Sequence, residues 1–266
     1  MGSLFSLSNV SVVRDGNRIL GPVDISVDEG ESIAIIGLNG SGKTTLSMLL
    51  KREVAPYYDE LAHSSLTILG KKDWDIFELR RLIVSVSTDD ERYFDPCKPV
   101  GEVILSGMFG SDGIYPIHTV TREMAKRMAE LMDTVGLKVS PKREFGSLSQ
   151  GERRSAMIAR ALMPSPKVMI LDEPTNSLDP VASSRFIGMI DRLIGKGMTV
   201  VMVTHRLEDI PLSIGRVIGI RDGRLVADGR KEDILTSASV SDIYGSDVTV
   251  RDDNGVFTIV PLPTNL

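Results

Sequence analysis

A glycine-rich motif between an apolar run and a helical run constrains the fold of this chain more than any other feature. Residues 37–45 read Gly-Leu-Asn-Gly-Ser-Gly-Lys-Thr-Thr and fill every fixed place of the phosphate-binding pattern G-x-x-x-x-G-K-[ST]. Residues 32–36 before it predict a short buried strand, and residues 45–50 after it predict a helix. Glycines let successive backbone N–H groups point at one anion beside a helix N-terminus. The motif therefore predicts a strand–loop–helix unit that holds nucleotide phosphates.

The polar residues of this loop have distinct roles in such a site. A lysine at position 43 places its charge beside the β- and γ-phosphates, and the hydroxyl of Thr44 is a ligand for Mg²⁺. An ordinary glycine-rich turn with a solvated lysine is the alternative, which the complete motif in its strand–helix context disfavours. The predicted nucleotide-binding residues are Gly37, Asn39, Gly40, Ser41, Gly42, Lys43, Thr44 and Thr45.

Two acids follow a second apolar run. Residues 168–171 (Val-Met-Ile-Leu) are typical of a buried parallel strand, and Asp172 and Glu173 stand at its carboxyl end, where such sheets bind ligands. Asp172 there can hold Mg²⁺ through a water molecule, and Glu173 can accept a proton from an attacking water. For these two residues alone, an ordinary helix-capping acid before Pro174 is an equally good interpretation.

A third motif narrows the choice of protein family. Residues 148–152 (Leu-Ser-Gln-Gly-Glu) resemble the signature Leu-Ser-Gly-Gly-Gln of the ATP-binding cassette family, with glutamine and glutamate at the two differing places. Residues 176–179 resemble the D-loop of that family, and His205 resembles its switch histidine. The resemblance extends to residues 217–229, which are similar to the strand pair that closes these domains. The signature segment also has a local interpretation, because Ser149 and Glu152 form a capping-box pattern before an amphipathic run.

The resemblance implies an ATPase that works as a homodimer when ATP is bound. Glu173 would be the general base, and His205 would contact the γ-phosphate and orient the attacking water. Ser149 and Gly151 would complete the nucleotide site of the partner copy, and Asp179 would contribute from the D-loop. The implied ligands are ATP and Mg²⁺, the latter held by Thr44 and, through water, by Asp172.

The chain departs from the family pattern at two positions. The family places a metal-contacting glutamine after the strand that ends here near residue 87, but the only glutamine of this chain is Gln150. Thr88 or Asp89 is the candidate replacement ligand, and a solvated acidic turn over residues 89–91 is the alternative. Where the family has an adenine-stacking aromatic, this chain has Arg14, which can stack on a base or simply be a surface arginine.

These features together predict an α/β fold, a P-loop NTPase cassette with a RecA-like parallel-sheet core. A single domain is expected over residues 1–266, with an antiparallel β subdomain at residues 1–30 and an inserted helical subdomain at about 98–163. A C-terminal hairpin extension is expected at about 237–266, because Asn254-Gly255 between alternating runs is a strong hairpin signal.

Composition excludes several classes of protein. A net charge of −5 gives no basic surface for nucleic acid, so no nucleic-acid partner is expected. The single cysteine excludes a disulfide framework, and no apolar run approaches the ~20 residues of a membrane-spanning helix. Without a secretion signal at the start of the chain, the expected location is cytoplasmic, either free or on the cytoplasmic face of a membrane.

The sequence leaves two functions open. The chain is expected to energise a membrane transporter by binding an integral membrane permease, or else to be a soluble cassette ATPase that regulates or assembles protein or ribonucleoprotein complexes. The glycine-rich residues 106–115 and the C-terminal tail are similar to those of molybdate- and iron-complex-type cassettes. An apolar partner surface is expected at Phe94, Met108, Phe109 and Tyr115.

Overall fold

The computed structural model describes residues 2–57 and 63–260. Its strands are β1 (Ser3–Arg14), β2 (Asn17–Asp28), β3 (Ile33–Ile36), β4 (Ser65–Ile68), β5 (Ile83–Ser87), β6 (Val168–Asp172), β7 (Thr199–Thr204), β8 (Arg216–Arg221), β9 (Arg224–Arg230), β10 (Thr249–Asp253) and β11 (Val256–Val260). Its α-helices are α1 (Lys43–Leu50), α2 (Ile76–Leu82), α3 (Val100–Ser106), α4 (Arg122–Thr134), α5 (Gln150–Leu162), α6 (Pro180–Gly195), α7 (Lys231–Ile234) and α8 (Ser237–Tyr244). Short 3-10 turns lie at Asp89–Tyr93, Phe145–Ser147 and Leu207–Asp209.

A six-stranded sheet forms the centre of the fold, with the strand order β5-β6-β7-β3-β8-β9. Its first five strands are parallel, and β9 runs antiparallel to β8. The predicted strands at residues 32–36 and 168–171 are confirmed as β3 and β6, which lie on either side of β7. The α/β class and the parallel core are therefore as the sequence predicts.

Two hydrophobic cores cover the two faces of this sheet. Side chains alternate between the faces of a strand, so Ile33 and Ile35 of β3 pack in one core while Ala34 and Ile36 pack in the other. The first core includes α1 and the three-stranded sheet β2-β1-β4, which is antiparallel as expected for the N-terminal region. The second includes α3, α4, α5 and α6.

The helices between β5 and β6 occupy residues 100–162. The predicted amphipathic helix after the signature motif is α5, and it begins with the full capping box: the Glu152 N–H donates to the Ser149 hydroxyl, and the Ser149 N–H donates to the Glu152 carboxylate. Both local and family interpretations of this segment therefore agree on a helix that begins at Ser149.

The C-terminal segment follows β9 and returns to the main sheet. It consists of α7, α8 and the antiparallel hairpin β10–β11, whose turn is Asn254-Gly255 with φ of +55° and +85°. These left-handed values are those that an Asn-Gly hairpin turn requires, so the predicted hairpin is confirmed. The last residues of the expected extension, 261–266, lie outside the described residues.

The prediction of an apolar partner surface is wrong for Phe94 and only partly correct for Met108, Phe109 and Tyr115. Phe94 is 8 % exposed, because its ring packs against Phe145 at 6.0 Å between centroids and beneath the guanidinium of Arg160. Met108 packs against the same core. Burial in the helical region, which the sequence pattern did not reveal, therefore removes Phe94 from the predicted surface and leaves Met108 half-buried.

The exposed apolar residues of this region lie further along the same loop. Phe109 is half-buried and stacks on His118 at 4.2 Å between ring centroids, whereas Tyr115 is 43 % exposed. Ile117 is 86 % exposed. The open apolar surface is therefore centred on residues 115–120.

Among the described residues, no helix is both long and apolar enough to cross a lipid bilayer.

Candidate active site

Three neighbouring strands end at one edge of the sheet and deliver the predicted functional residues to it. The phosphate-binding loop follows β3, Asp172 and Glu173 follow the apolar part of β6, and His205 follows β7. Because these strands are parallel and adjacent, their carboxyl ends meet, which is where ligands bind in open α/β sheets. The fold therefore brings together residues that lie more than a hundred positions apart in the sequence.

The phosphate-binding loop has a backbone that only glycine permits at its start. A Cβ on Gly37 would lie 2.2 Å from the Ile220 carbonyl oxygen and 2.7 Å from the Ser41 hydroxyl. Gly40 and Gly42 also have positive φ values, of +80° and +107°. The glycines therefore allow the chain to curl tightly between β3 and α1, as the motif predicts.

Lys43 occupies the interior of this loop. Its ammonium donates to the carbonyl oxygens of Gly37 and Leu38 at 2.8 and 2.9 Å, and it lies 3.8 Å from Glu173 Oε1. Burial lowers the pKa of Lys43, whereas the carboxylates of Glu173 and Asp172 raise it. The amine thus sits beside the two acids, where a phosphate chain would provide further negative charge.

The oxygen atoms between α1 and β6 suit Mg²⁺. The Thr44 hydroxyl lies near Asp172 and lowers the pKa of its carboxyl, and the buried Ser41 hydroxyl has no partner among the described residues. Burial raises the pKa of Asp172 and the Glu173 charge raises it further, opposed by the charges of Lys51 and Lys43 and by the Thr44 hydroxyl. Hydroxyl and carboxylate oxygens of this kind are the ligands that Mg²⁺ prefers, so these residues fit the ion.

Glu173 and His205 are neighbours, although the sequence separates them by thirty-two positions. His205 Nδ1 lies 3.0 Å from Glu173 Oε1 without the alignment of a hydrogen bond, and the Asn176 amide donates to Glu173 Oε2. Glu173 has a φ of +48°, and its N–H donates to the Val203 carbonyl oxygen at 2.8 Å. A left-handed conformation is costly for a residue with a side chain, so the surroundings hold this carboxylate in a specific direction.

Of the two candidate replacements for the missing glutamine, Thr88 is the one beside the site. Its hydroxyl donates to the Glu173 carbonyl oxygen at 3.0 Å. Asp89 is exposed and pairs with Arg92, and the Asp90 carboxylate accepts from the Ser87 N–H at 2.7 Å. The structure therefore ties Thr88, rather than Asp89, to the backbone of Glu173.

The acidic turn at residues 89–91 contains an ion pair. Neither the metal-ligand nor the solvated-turn interpretation of the sequence predicts it. Glu91 Oε1 lies 3.1 Å from Nε of Arg154, whose side chain is 3 % exposed, and Glu91 Oε2 lies 3.6 Å from Nε of Arg153. Burial raises the pKa of Glu91 and lowers that of Arg154, and the attraction within the pair opposes both shifts. This pair joins the segment after β5 to the signature helix α5.

A second contact that the sequence did not reveal joins the loops after Glu173 and His205. The Thr175 hydroxyl donates to the Asp209 carboxylate, and both side chains are almost fully buried. Asp209 belongs to the 3-10 turn after His205, and Arg206 Nε lies 3.7 Å from its carboxylate. The two loops that carry the catalytic candidates are therefore tied to each other.

The signature residues lie on a separate surface. Ser149 and Gly151 line a groove of about 720 Å³ together with Asp179, whose carboxylate caps the N-terminus of α6. Lys43 and Thr44 are not among the described residues that line this groove. Within one chain, the structure therefore does not bring the signature to the phosphate-binding loop.

Arg14 is exposed at the end of β1, opposite Asn17 in the β1–β2 ladder. This hairpin approaches the phosphate-binding loop, since a Cβ on Gly42 would lie 3.3 Å from the Ile19 carbonyl oxygen. The position of Arg14 is thus compatible with a base bound beside the loop, and its stacking role stays a prediction.

The family model of ABC transporter ATP-binding domains matches residues 20–176, which is more than half of the chain and includes the loop, the signature and both acids. The chain belongs to the ABC transporter family. It is an ATP-binding cassette, and the ATP-hydrolysing activity predicted from its motifs is that of the family. The finer similarity to molybdate- and iron-complex-type cassettes stays a prediction.

Several curated relatives cover most of the cassette. The ABC transporter ATP-binding protein YlmA of Bacillus subtilis is 32 % identical over 93 % of each chain. The cobalt import ATP-binding protein CbiO of Syntrophus aciditrophicus is 33 % identical over 82 % of this chain and 74 % of its own. The cell division ATP-binding protein FtsE of Streptococcus pneumoniae is 35 % identical over 82 % of this chain and 91 % of its own.

A solved structure has the same fold. CbiO1 of Clostridium perfringens, part of the transporter complex CbiONQ, superposes with a TM-score of 0.78 over 90 % of this chain and 93 % of its own, at 24 % identity. The cassette architecture that the motifs predict is therefore confirmed.

Proposed function

We propose that this cassette hydrolyses ATP with Mg²⁺ as a homodimer and energises a membrane transporter as its separately encoded ATP-binding subunit. The observation that carries the proposal is the convergence of Lys43, Asp172, Glu173 and His205 at one sheet edge. The similarity to transporter ATP-binding subunits such as CbiO supports the coupling to transport.

Each residue at this edge has a role in the cleavage of ATP. Lys43 and the loop N–H groups bind the β- and γ-phosphates, and Thr44 and, through water, Asp172 would hold Mg²⁺, which would supply positive charge against the phosphate oxygens. Glu173 takes a proton from the water that attacks the γ-phosphorus, and ADP leaves as the bond to the β-phosphate oxygen breaks. His205, beside Glu173 Oε1, orients that water and contacts the γ-phosphate.

The separation of signature and phosphate-binding loop supports the dimer. Ser149 and Gly151 stand at the N-terminus of α5, whose free N–H groups and positive dipole end favour an anion. A second copy, placed head to tail, would bring this end of α5 to the γ-phosphate of the first, with Asp179 nearby. Leu38 and Val181, which are 47 % and 61 % exposed, are apolar residues beside these motifs that such an interface would cover.

The exposed residues 115–120 of the helical region are the proposed contact with a permease on the cytoplasmic face of the membrane. A photo-cross-linker at Ile117, with a control at Leu212 (55 % exposed), tests this in cells. Cross-links from position 117 to an integral membrane protein, absent from position 212, are the expected result. Cross-links from position 117 to soluble proteins alone would overturn the transporter assignment.

The second candidate is an ABC ATPase that regulates or assembles other complexes without moving a solute. The replacement of the family glutamine by Thr88 and the ion pair at Glu91 change the segment between the active site and the expected permease contact. A relative whose name refers to cell division, FtsE, is also 35 % identical to this chain. Soluble cross-linking partners at Ile117, with ATP hydrolysis retained, would favour this function.

A further inference from the structure

Tyr244, the last residue of α8, contacts the backbone of His205 from the C-terminal segment. Its phenol donates a hydrogen bond of 2.7 Å to the His205 carbonyl oxygen across thirty-nine residues of sequence. The side chain is 7 % exposed, so water does not compete freely for this carbonyl. Tyr244 lies outside residues 20–176, the part of the chain matched by the family model.

The geometry around His205 explains why this contact bears on the active site. His205 immediately follows β7, and its ring is 32 % exposed beside Glu173 Oε1. The backbone N–H of Arg206, the residue after His205, donates to the Thr204 hydroxyl at 3.0 Å. The Tyr244 hydrogen bond fixes the intervening carbonyl, and the direction of a side chain follows the orientation of its backbone.

Tyr244 is itself held firmly by the sheet and the hairpin. Val240 and Ile243 of α8 are fully buried in the core, and Arg221 of β8 donates to the Asp242 carbonyl oxygen at 2.8 Å. Burial raises the pKa of Tyr244, which keeps the phenol protonated as a donor throughout the physiological range. The hydroxyl thus projects from a rigid support, as a residue that positions another must.

We propose that Tyr244 is a positioning residue for ATP cleavage, which holds the backbone of His205 so that the imidazole faces Glu173 and the attacking water. The inference rests on the proposed role of His205 in hydrolysis. It assigns part of the catalytic geometry to the C-terminal helix, well beyond the motifs that bind nucleotide.

Tyr244→Phe removes only the hydroxyl, and Tyr57→Phe is the control. Tyr57 is 46 % exposed, and its backbone N–H donates to the Ser11 carbonyl oxygen of β1 at 2.7 Å, so the control removes a tyrosine hydroxyl at the surface. We expect Tyr244→Phe to lower kcat about fivefold with a KM for ATP within about twofold of the parent, as the loss of one hydrogen bond predicts. Tyr57→Phe should leave both constants unchanged.

A double-mutant cycle identifies the residue through which the hydroxyl acts. In a His205→Ala background, Tyr244→Phe should change kcat by less than about 1.5-fold, because the imidazole that it positions is absent. A parental kcat for Tyr244→Phe, or the same fivefold loss in both backgrounds, would overturn the inference while leaving the role of His205 intact. Parental turnover by His205→Ala would instead refute the role of His205, and the inference with it.

Nuclear magnetic resonance gives a readout that is independent of turnover. The chain has three histidines, so selective ¹³C labelling yields three imidazole signals. Tyr244→Phe should shift the His205 signal, and Tyr115→Phe should shift that of His118, whose ring lies 5.7 Å from the Tyr115 ring between centroids. An unmoved His205 signal in Tyr244→Phe would contradict the proposed positioning even if turnover fell.

Discussion

Replacing Thr175 with valine tests the contact that joins the two catalytic loops. The change keeps the shape of the side chain but removes the hydroxyl that donates to Asp209. Asp209 is 2 % exposed, and the Arg206 guanidinium would remain 3.7 Å away, opposed by the charge of the neighbouring Glu208. A buried carboxylate that loses a hydrogen-bond donor destabilises the folded state by about 1.5–3 kcal/mol.

The loss of stability in Thr175→Val depends on pH, and its direction follows from the pKa shift of Asp209. Burial raises the pKa of Asp209, while the Thr175 hydroxyl and Arg206 oppose the shift, so the variant should have a still higher pKa at this position. An acid whose folded-state pKa is raised contributes stability that is present below its unfolded pKa and lost as pH rises through the folded pKa. The deficit of Thr175→Val should therefore be largest near neutral pH and shrink as the pH falls and Asp209 becomes protonated.

Thermal and urea unfolding at several pH values measure this prediction. At about 2–4 °C per kcal/mol, the variant should melt roughly 3–12 °C below the parent at neutral pH. Thr199→Val, in another buried threonine at the start of β7, serves as the control for the loss of a hydroxyl. A Thr175→Val protein with parental stability at neutral pH, or a deficit that grows as the pH falls, would refute the account of this contact.

Three further predictions concern the site and its surroundings. Lys43→Ala should weaken ATP binding by about 1.5–3 kcal/mol in titration calorimetry, since it removes a charge-assisted contact; unchanged affinity would contradict the phosphate-binding assignment. Thr88→Val should lower kcat while Asp89→Ala does not, and the reverse order would make the acid the functional replacement for glutamine. Replacing both Glu91 and Arg154 by apolar residues should leave the free energy of unfolding unchanged or raise it by up to about 4 kcal/mol in urea titrations. The reason is that the cost of burying the two charges exceeds their mutual attraction. A marked loss of stability would show that the pair stabilises the fold.

Local sequence signals predicted the elements whose cause is local. The capping box at Ser149, the Asn254-Gly255 turn and the apolar run at residues 33–36 each need only a few neighbouring residues to form. The edge of the sheet that carries Asp172 also followed from sequence, because the carboxyl ends of parallel strands meet. These features required no knowledge of distant contacts.

The contacts that the sequence did not predict all join distant segments. Glu91 meets α5, and Tyr244 meets His205, through packing that no periodic pattern encodes. The sequence predicts Phe94 as part of an apolar partner surface, but the helical region buries its ring against Phe145. Of these contacts, only that of Tyr244 had a signal in the sequence, because a tyrosine at the end of a buried helix needs a hydrogen-bond partner for its hydroxyl.

The most direct test of the proposed mechanism is the mass and nucleotide content of a Glu173→Gln protein incubated with ATP and Mg²⁺. The amide keeps the shape of the side chain but cannot accept the proton of the attacking water. Light scattering should give twice the 29.0 kDa of one chain, with ATP retained uncleaved, while the parent protein returns to monomer as it forms ADP. Hydrolysis by the variant at the parental rate, or a monomer that holds intact ATP, would contradict the account.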